Sequence, residues 1–156
     1  MTKRAAPDKD ASPLDLDRQI CHSLYSAANA LVRAYRPLLQ NLDLTYPQYV
    51  VMMSLWQRDG VSHSELAGHT RFDAGTLSPM LKRLQDKGLV ASTVAENDER
   101  RRVVSLTEKG RTLKKTAAGI PKEIACTVDM SMEQALELKG LCEALISRLA
   151  AESGEE

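Results

Sequence analysis

From Asp73 onward the apolar residues fall at Leu77, Met80, Leu81 and Leu84, the i, i+3, i+4, i+7 spacing of one helix face. Gly88 follows where a helix is closed at C′. Pro79 stands inside the pattern and has no N–H for the Gly75 carbonyl, so a kinked or irregular start is expected. Upstream, Thr45-Tyr46-Pro47-Gln48 and Ser62-His63-Ser64-Glu65 are capping boxes that open helices ending near Gly60 and His69. Ser12-Pro13-Leu14-Asp15 opens a longer helix that the pattern carries to about Tyr35. Downstream, residues 89–94 and 102–106 are rich in β-branched side chains and flank the polar stretch 95–101, which predicts a hairpin with a charged tip. Thr107 caps a further helix, Gly119-Ile120-Pro121 bends or interrupts it, and Ser131-Met132-Glu133-Gln134 opens the last, to about Ala150.

Short helix, tight connection, second helix and hairpin, in that order, make a winged helix-turn-helix. The fold class expected is mainly α with a small β-wing. Such a fold needs a rigid second helix whose apolar face packs while its polar face meets the major groove. Asp73, Ala74, Gly75, Thr76, Ser78, Lys82 and Arg83 are then the groove-facing set. The segments expected are an N-terminal arm at 1–11, a first helix and dimerisation segment at 12–44, the DNA-binding lobe at 45–110 and C-terminal dimerisation helices at 111–151, with both termini frayed.

Composition fits one helical domain: 43% of the 156 residues are hydrophobic and only 4% aromatic, so Leu, Val, Ile, Met and Ala must build the core. A chain of this size buries a limited core, and dimerisation adds to it. The formal net charge is +0, which conceals an asymmetry. Residues 60–115 hold 11 Lys/Arg against 7 Asp/Glu, whereas 116–156 hold 3 against 8. A basic centre meets phosphate; an acidic end meets protein or water. At the hairpin tip, neighbouring Arg100, Arg101 and Arg102 repel one another unless a polyanion or the nearby Asp98 and Glu99 compensate. Those carboxylates orient one arginine while the others reach the minor groove or backbone. Apolar runs are far shorter than the roughly 18 residues that span a bilayer, and Asp8, Lys9 and Asp10 interrupt any secretory leader. A cytoplasmic protein is expected. Cys21, Cys126 and Cys142 are an odd, widely spaced set, unlike a secreted disulfide framework.

Asp98-Glu99-Arg100 followed by Ser105-Leu106-Thr107-Glu108-Lys109-Gly110 resembles the wing and following helix of MarR-type regulators. Cys21-His22-Ser23-Leu24-Tyr25, Ala34-Tyr35-Arg36-Pro37-Leu38-Leu39, Leu44-Thr45-Tyr46-Pro47-Gln48-Tyr49 and the stretch from Gly75 to Leu84 extend the likeness to the organic-hydroperoxide sensors of that family, the OhrR repressors. The resemblance implies a homodimer with interlocked terminal helices, reading adjacent major grooves of a pseudo-palindromic operator. It also implies that Pro79 belongs in the recognition helix.

On residues alone, Cys21 shares a stripe with Tyr25, Ala28, Val32 and Tyr35 and reads as a small buried hydrophobe. Reactivity towards peroxide requires a thiolate. About two turns inside the expected helix, the macrodipole has faded, so another donor is required. A phenol donates to a thiolate without bringing charge. Tyr35 and Tyr46 match the two tyrosines that serve the OhrR sensors, with Tyr25 as a further candidate and Tyr49 read as core packing. The resemblance places Cys21 at the subunit boundary, with organic hydroperoxide as inducer. It places Cys126 where some of these sensors resolve a sulfenic acid by an intersubunit disulfide; on residues alone Cys126 is a buried helix residue, and Cys142 reads as core.

Three other readings compete with this one. A MarR-type repressor released by a phenolic ligand needs neither Cys21 nor the tyrosine pair. A metal sensor needs clustered ligands, but His63 and His69 are six apart and His22 adjoins Cys21, so no metal and no cofactor is expected. A thiol peroxidase leaves the basic centre unexplained, so no enzyme is expected.

Overall fold

The computed structural model describes residues 12–95 and 98–153, with only the backbone described at 95, 98–101, 152 and 153. The expected arm at 1–11 and the tail from 154 lie outside the described residues. A 3-10 turn, Leu16–Arg18, precedes α1 (Ile20–Gln40), α2 (Tyr46–Gln57), β1 (Val61–Ser62), α3 (His63–Thr70) and α4 (Ala74–Asp86). The hairpin β2 (Val90–Ala95) and β3 (Asp98–Leu106) follows, then α5 (Glu108–Ala117), α6 (Ile120–Val128) and α7 (Met132–Ser153). Two compact units divide the chain, Met1–Arg111 and Thr112–Glu156. No helix among the described residues is long and apolar enough to cross a membrane.

The fold is the expected one, a mostly helical chain with a small antiparallel sheet, ordered β1-β3-β2. Both upstream capping boxes form, each with its reciprocal pair of bonds. Ser131 and Gln134 exchange the same pair at the start of α7. The end of α4 is a Schellman motif: Leu89 N–H donates to the Leu84 carbonyl, Gly88 N–H to that of Gln85, and Gly88 has φ +68°. α4 runs unbroken through Pro79. The expected irregularity is not seen, because a proline this near the N-terminus forfeits one hydrogen bond while four buried side chains hold the face.

Three boundaries differ from expectation. Asp15 caps the 3-10 turn rather than the helix, and α1 begins only at Ile20, so Cys21 is its second residue and not two turns inside. α1 also continues through Pro37 to bury Leu39. β3 starts at Asp98, with a register shift at Val94/Ala95, so most of the expected charged tip belongs to the strand. The two-residue β1, which pairs Val61 with Val104 and Ser62 with Val103, is an addition that no local pattern announces.

The core of the first unit is Leu39, Leu42, Leu44, Tyr49, Val51, Met52, Leu55, Leu66, the α4 face and the inner residues of the sheet. Asp59 ties three parts of it together. Its carboxylate accepts from the N–H of Leu106 at 2.7 Å, the N–H of Gly60 at 2.8 Å and the Arg111 guanidinium at 2.9 Å. Burial pushes the Asp59 carboxyl up, but these hydrogen bonds and the arginine's charge outweigh it and hold it below the usual range. In the second unit Ala117, Ile120 and Ile124 are buried, while Met132, Leu136, Leu138, Leu141, Ile146 and Leu149 of α7 are exposed.

Candidate functional site

α4 is positioned by what grips its two ends. At its start Asp73 caps the helix, accepting from Thr76 N–H at 2.8 Å and from the Thr76 hydroxyl at 2.6 Å. At its end the Thr107 hydroxyl donates to the Gly88 carbonyl at 2.6 Å, and Lys109 Nζ to that of Lys87 at 2.8 Å. Gly110 approaches so closely that a Cβ there would lie 2.1 Å from the Leu89 carbonyl oxygen, and Trp56 Nε1 donates to the Gly110 carbonyl at 2.9 Å. Lys87 Nζ reaches across to the loop between α1 and α2, where it pairs with the Asp43 carboxylate at 2.9 Å and bonds its carbonyl. The Ser-Leu-Thr-Glu-Lys-Gly motif is thus the lock on the C-terminal end of α4.

Leu77, Met80, Leu81 and Leu84 are buried, and Asp73, Ala74, Gly75, Thr76, Ser78, Lys82 and Arg83 are all exposed. Side chains that meet water on one face of a rigid helix are free to meet a duplex. Arg102 is exposed on β3. Asp98, Arg100 and Arg101 share that strand, and their side chains lie outside the described residues, as does Glu99's. His63 Nε2 lies 3.4 Å from Ser78 Oγ, a neighbour that the sequence reading did not include. His69 Nδ1 lies 2.7 Å from the buried Ser54 Oγ, a packing role. Among the described residues no three His, Cys, Asp or Glu side chains converge to hold a metal.

Three of the four tyrosines, Tyr35, Tyr46 and Tyr49, gather around the start of α2. The ring centroids of Tyr35 and Tyr46 are 4.8 Å apart, those of Tyr35 and Tyr49 5.9 Å, and Tyr49 meets Trp56 edge-on at 6.1 Å. Tyr49 is buried, as expected. Burial pushes all three phenols up, and neighbouring phenols add to this for Tyr35 and Tyr49, so each keeps its proton throughout the neutral range. Among the described residues, the hydroxyls of Tyr35 and Tyr46 have no hydrogen-bond partner.

Cys21 is not with them. It is exposed, as are Tyr25 and Ala28 on its stripe, so among the described residues the reading of that end of the stripe as core fails, while Val32 and Tyr35 are half-buried. Fourteen residues separate Cys21 from Tyr35, about 21 Å at 1.5 Å per helical residue. The two cannot touch along one α1. Cys21 instead occupies the first turn of α1, whose cap Gln19 makes no side-chain bond to it. Cys126 on α6 is exposed rather than buried, and Cys142 on α7 is half-buried.

The sequence profile of the family "Transcriptional regulator SarA/Rot" matches residues 33–117. The chain is 36% identical over 136 residues to the organic hydroperoxide resistance transcriptional regulator of Bacillus subtilis, covering 87% of this chain and 92% of that one. The fold is similar to that of reduced AbfR bound to DNA, with TM-score 0.70, 25% identity, and 86% and 95% of the two chains covered. AbfR is a protein of Staphylococcus epidermidis. Against disulfide-formed AbfR the TM-score is 0.61, with 27% identity and 84% and 92% covered. A winged helix with an exposed recognition face, matched in sequence and in shape to such proteins, places the chain in the SarA/Rot family of MarR-like, DNA-binding transcriptional regulators.

Proposed function

We propose that the chain is a redox-sensing repressor that holds operator DNA while Cys21 is reduced and lets go when organic hydroperoxide oxidises it. The observation that carries this reading is the Tyr35–Tyr46 pair: two neutral phenols with ring centroids 4.8 Å apart and no hydroxyl partner among the described residues, Tyr35 being about 21 Å along α1 from the thiol they suit. A second copy resolves the distance. If two α1 helices cross in a homodimer, the first turn of one meets the tyrosines of the other. The exposed Leu14, Leu16, Ile20, Tyr25 and Leu31 supply apolar surface for that contact, and α7 supplies more. Such a dimer presents two α4 helices to a pseudo-palindromic operator, with Lys82, Arg83 and the wing arginines on phosphate.

In the first step the Cys21 thiolate attacks the terminal peroxide oxygen. The O–O bond breaks, the alcohol leaves with a proton, and the sulfur becomes sulfenic acid. Cys126 of the partner then attacks that sulfur, forming S–S and releasing water. A covalent tie between two packed helices is accommodated by rotating rigid bodies rather than by compressing them, which displaces the DNA-reading lobes. The oxidation is stoichiometric, and no turnover follows without an external reductant.

The test uses a duplex selected from a random library and fluorescence anisotropy. Reduced protein binds it, cumene hydroperoxide releases it, and Cys21→Ser stays bound. Cys126→Ser removes the disulfide-linked dimer from non-reducing gels. Release of Cys21→Ser at the wild-type dose overturns the thiol switch and favours a ligand-responsive repressor.

A further inference from the structure

The leading end of α4 has a fixed hydrogen-bond polarity. Thr76 Oγ1 lies 2.6 Å from Asp73 Oδ2, and a carboxylate only accepts, so the Thr76 hydroxyl proton is turned towards Asp73. Thr76 in turn holds the Asp73 carboxyl below the ordinary carboxylate range, through its hydroxyl and then its N–H, so the cap is anionic. Ser78 Oγ lies 2.8 Å from the Ala74 carbonyl oxygen, another pure acceptor, so its proton too is turned back onto the helix. The His63 contact at 3.4 Å fits a ring N–H donating weakly into one Ser78 lone pair. What remains outward on Asp73, Thr76 and Ser78 is lone pairs. On α4 the cationic side-chain donors begin at Lys82 and Arg83, more than a turn further along.

We propose that this end of α4 is an acceptor edge that reads exocyclic amino groups, cytosine N4 or adenine N6, and disfavours guanine O6 and N7 at the same places. In the major groove those amino groups are the only hydrogen-bond donors, and guanine presents two acceptors. The anionic Asp73 reinforces the choice, since it repels acceptor edges and phosphates alike. The two hydroxyls differ in firmness. Turning Thr76 round would set its lone pairs against a carboxylate 2.6 Å away, whereas turning Ser78 loses one ordinary bond to a carbonyl. Thr76 is therefore the specificity-determining residue and Ser78 the adaptable one.

The inference rests on α4 entering the major groove, and the experiment separates the two claims. Half-site bases of the selected duplex are replaced singly by purine or pyrimidin-2-one, which lack the amino group, and by 7-deazapurines, which lack N7, with the same replacements outside the half-sites as controls. Binding is measured for wild type, Thr76→Val and Thr76→Ser. The expected result is a loss of about 5- to 10-fold when one amino group is removed, abolished in Thr76→Val and retained in Thr76→Ser. Thr76→Val keeps the cap bond from the backbone N–H, so folding is preserved. Coupling of Thr76 to a guanine N7 instead overturns the acceptor edge while leaving groove entry intact. Tight binding in which no major-groove analogue couples to any α4 variant overturns groove entry itself, and the acceptor edge with it.

Discussion

α4 and the first turns of α1 are both exposed helix segments bearing candidate functional groups, yet they differ in how much of their surroundings one chain supplies. α4 is complete: a cap at its start, a Schellman motif and the Thr107, Lys109 and Gly110 lock at its end, and four buried side chains beneath. Around Cys21, one chain supplies an exposed stripe that includes Tyr25, while Tyr35 and Tyr46 lie elsewhere. The α4 face is thus finished within one chain, whereas under the proposed redox reading the Cys21 site is half-built there. Such a division suits the proposed switch, in which a rigid reader is moved as a body by a change at a subunit seam.

The reader breaks most completely at Gly110. Gly110→Ala sets a methyl into the Leu89 carbonyl, and a loss of about 3 kcal/mol or more in urea unfolding is expected. Leu84→Ala removes a fully buried α4 side chain and is expected to cost about 2 to 5 kcal/mol. Neither change touches Cys21, so the rate of thiol alkylation in whatever remains folded should be unaltered.

The sensor breaks the other way. The double variant Tyr35→Phe, Tyr46→Phe should slow oxidation of Cys21 by about 100-fold or more in stopped-flow with cumene hydroperoxide, each lost donor to a charged sulfur being worth about 1.5 kcal/mol, roughly tenfold. Its reduced DNA affinity should stay within a factor of about two. Smaller still, Lys82→Ala should weaken binding evenly across sequences and reduce the salt slope by about one.

Acid unfolding sharpens the reader's side. Asp59 has a folded-state carboxyl held below its unfolded value, so its contribution is fully present above about pH 4 and is lost as pH falls through the folded value. Asp59→Asn should flatten that part of the stability curve, and a slope equal to wild type would remove Asp59 from the account.

Legibility followed the same division. The capping boxes at Thr45, Ser62 and Ser131, the α4 stripe and Gly88 are local signals, readable because partner atoms lie within a turn. β1 was not readable, since two residues carry no period and Val61 becomes a strand only by meeting Val104. The true start of α1 was hidden because Ser12 and Pro13 mimic a helix opening that Asp15 turns into a 3-10 turn. Periodicity on α1 put Cys21 and Tyr25 in a core stripe, but a period carries no information on what covers it, and both are exposed. The lock on α4 was invisible for the same reason, as Lys87 to Asp43 and Thr107 to Gly88 are contacts across the fold.

The central claim is that the sensor is built from two chains, and mixed dimers test it directly. One dimer pairs Cys21→Ser with the Tyr35→Phe, Tyr46→Phe double variant; the other puts all three substitutions in one chain beside a wild-type chain. Each holds a single Cys21. Oxidation by cumene hydroperoxide should be fast in the first, where that thiol faces intact tyrosines of the other chain, and slow in the second. Slow oxidation in the first and fast in the second would place thiol and phenols in the same chain and contradict the account.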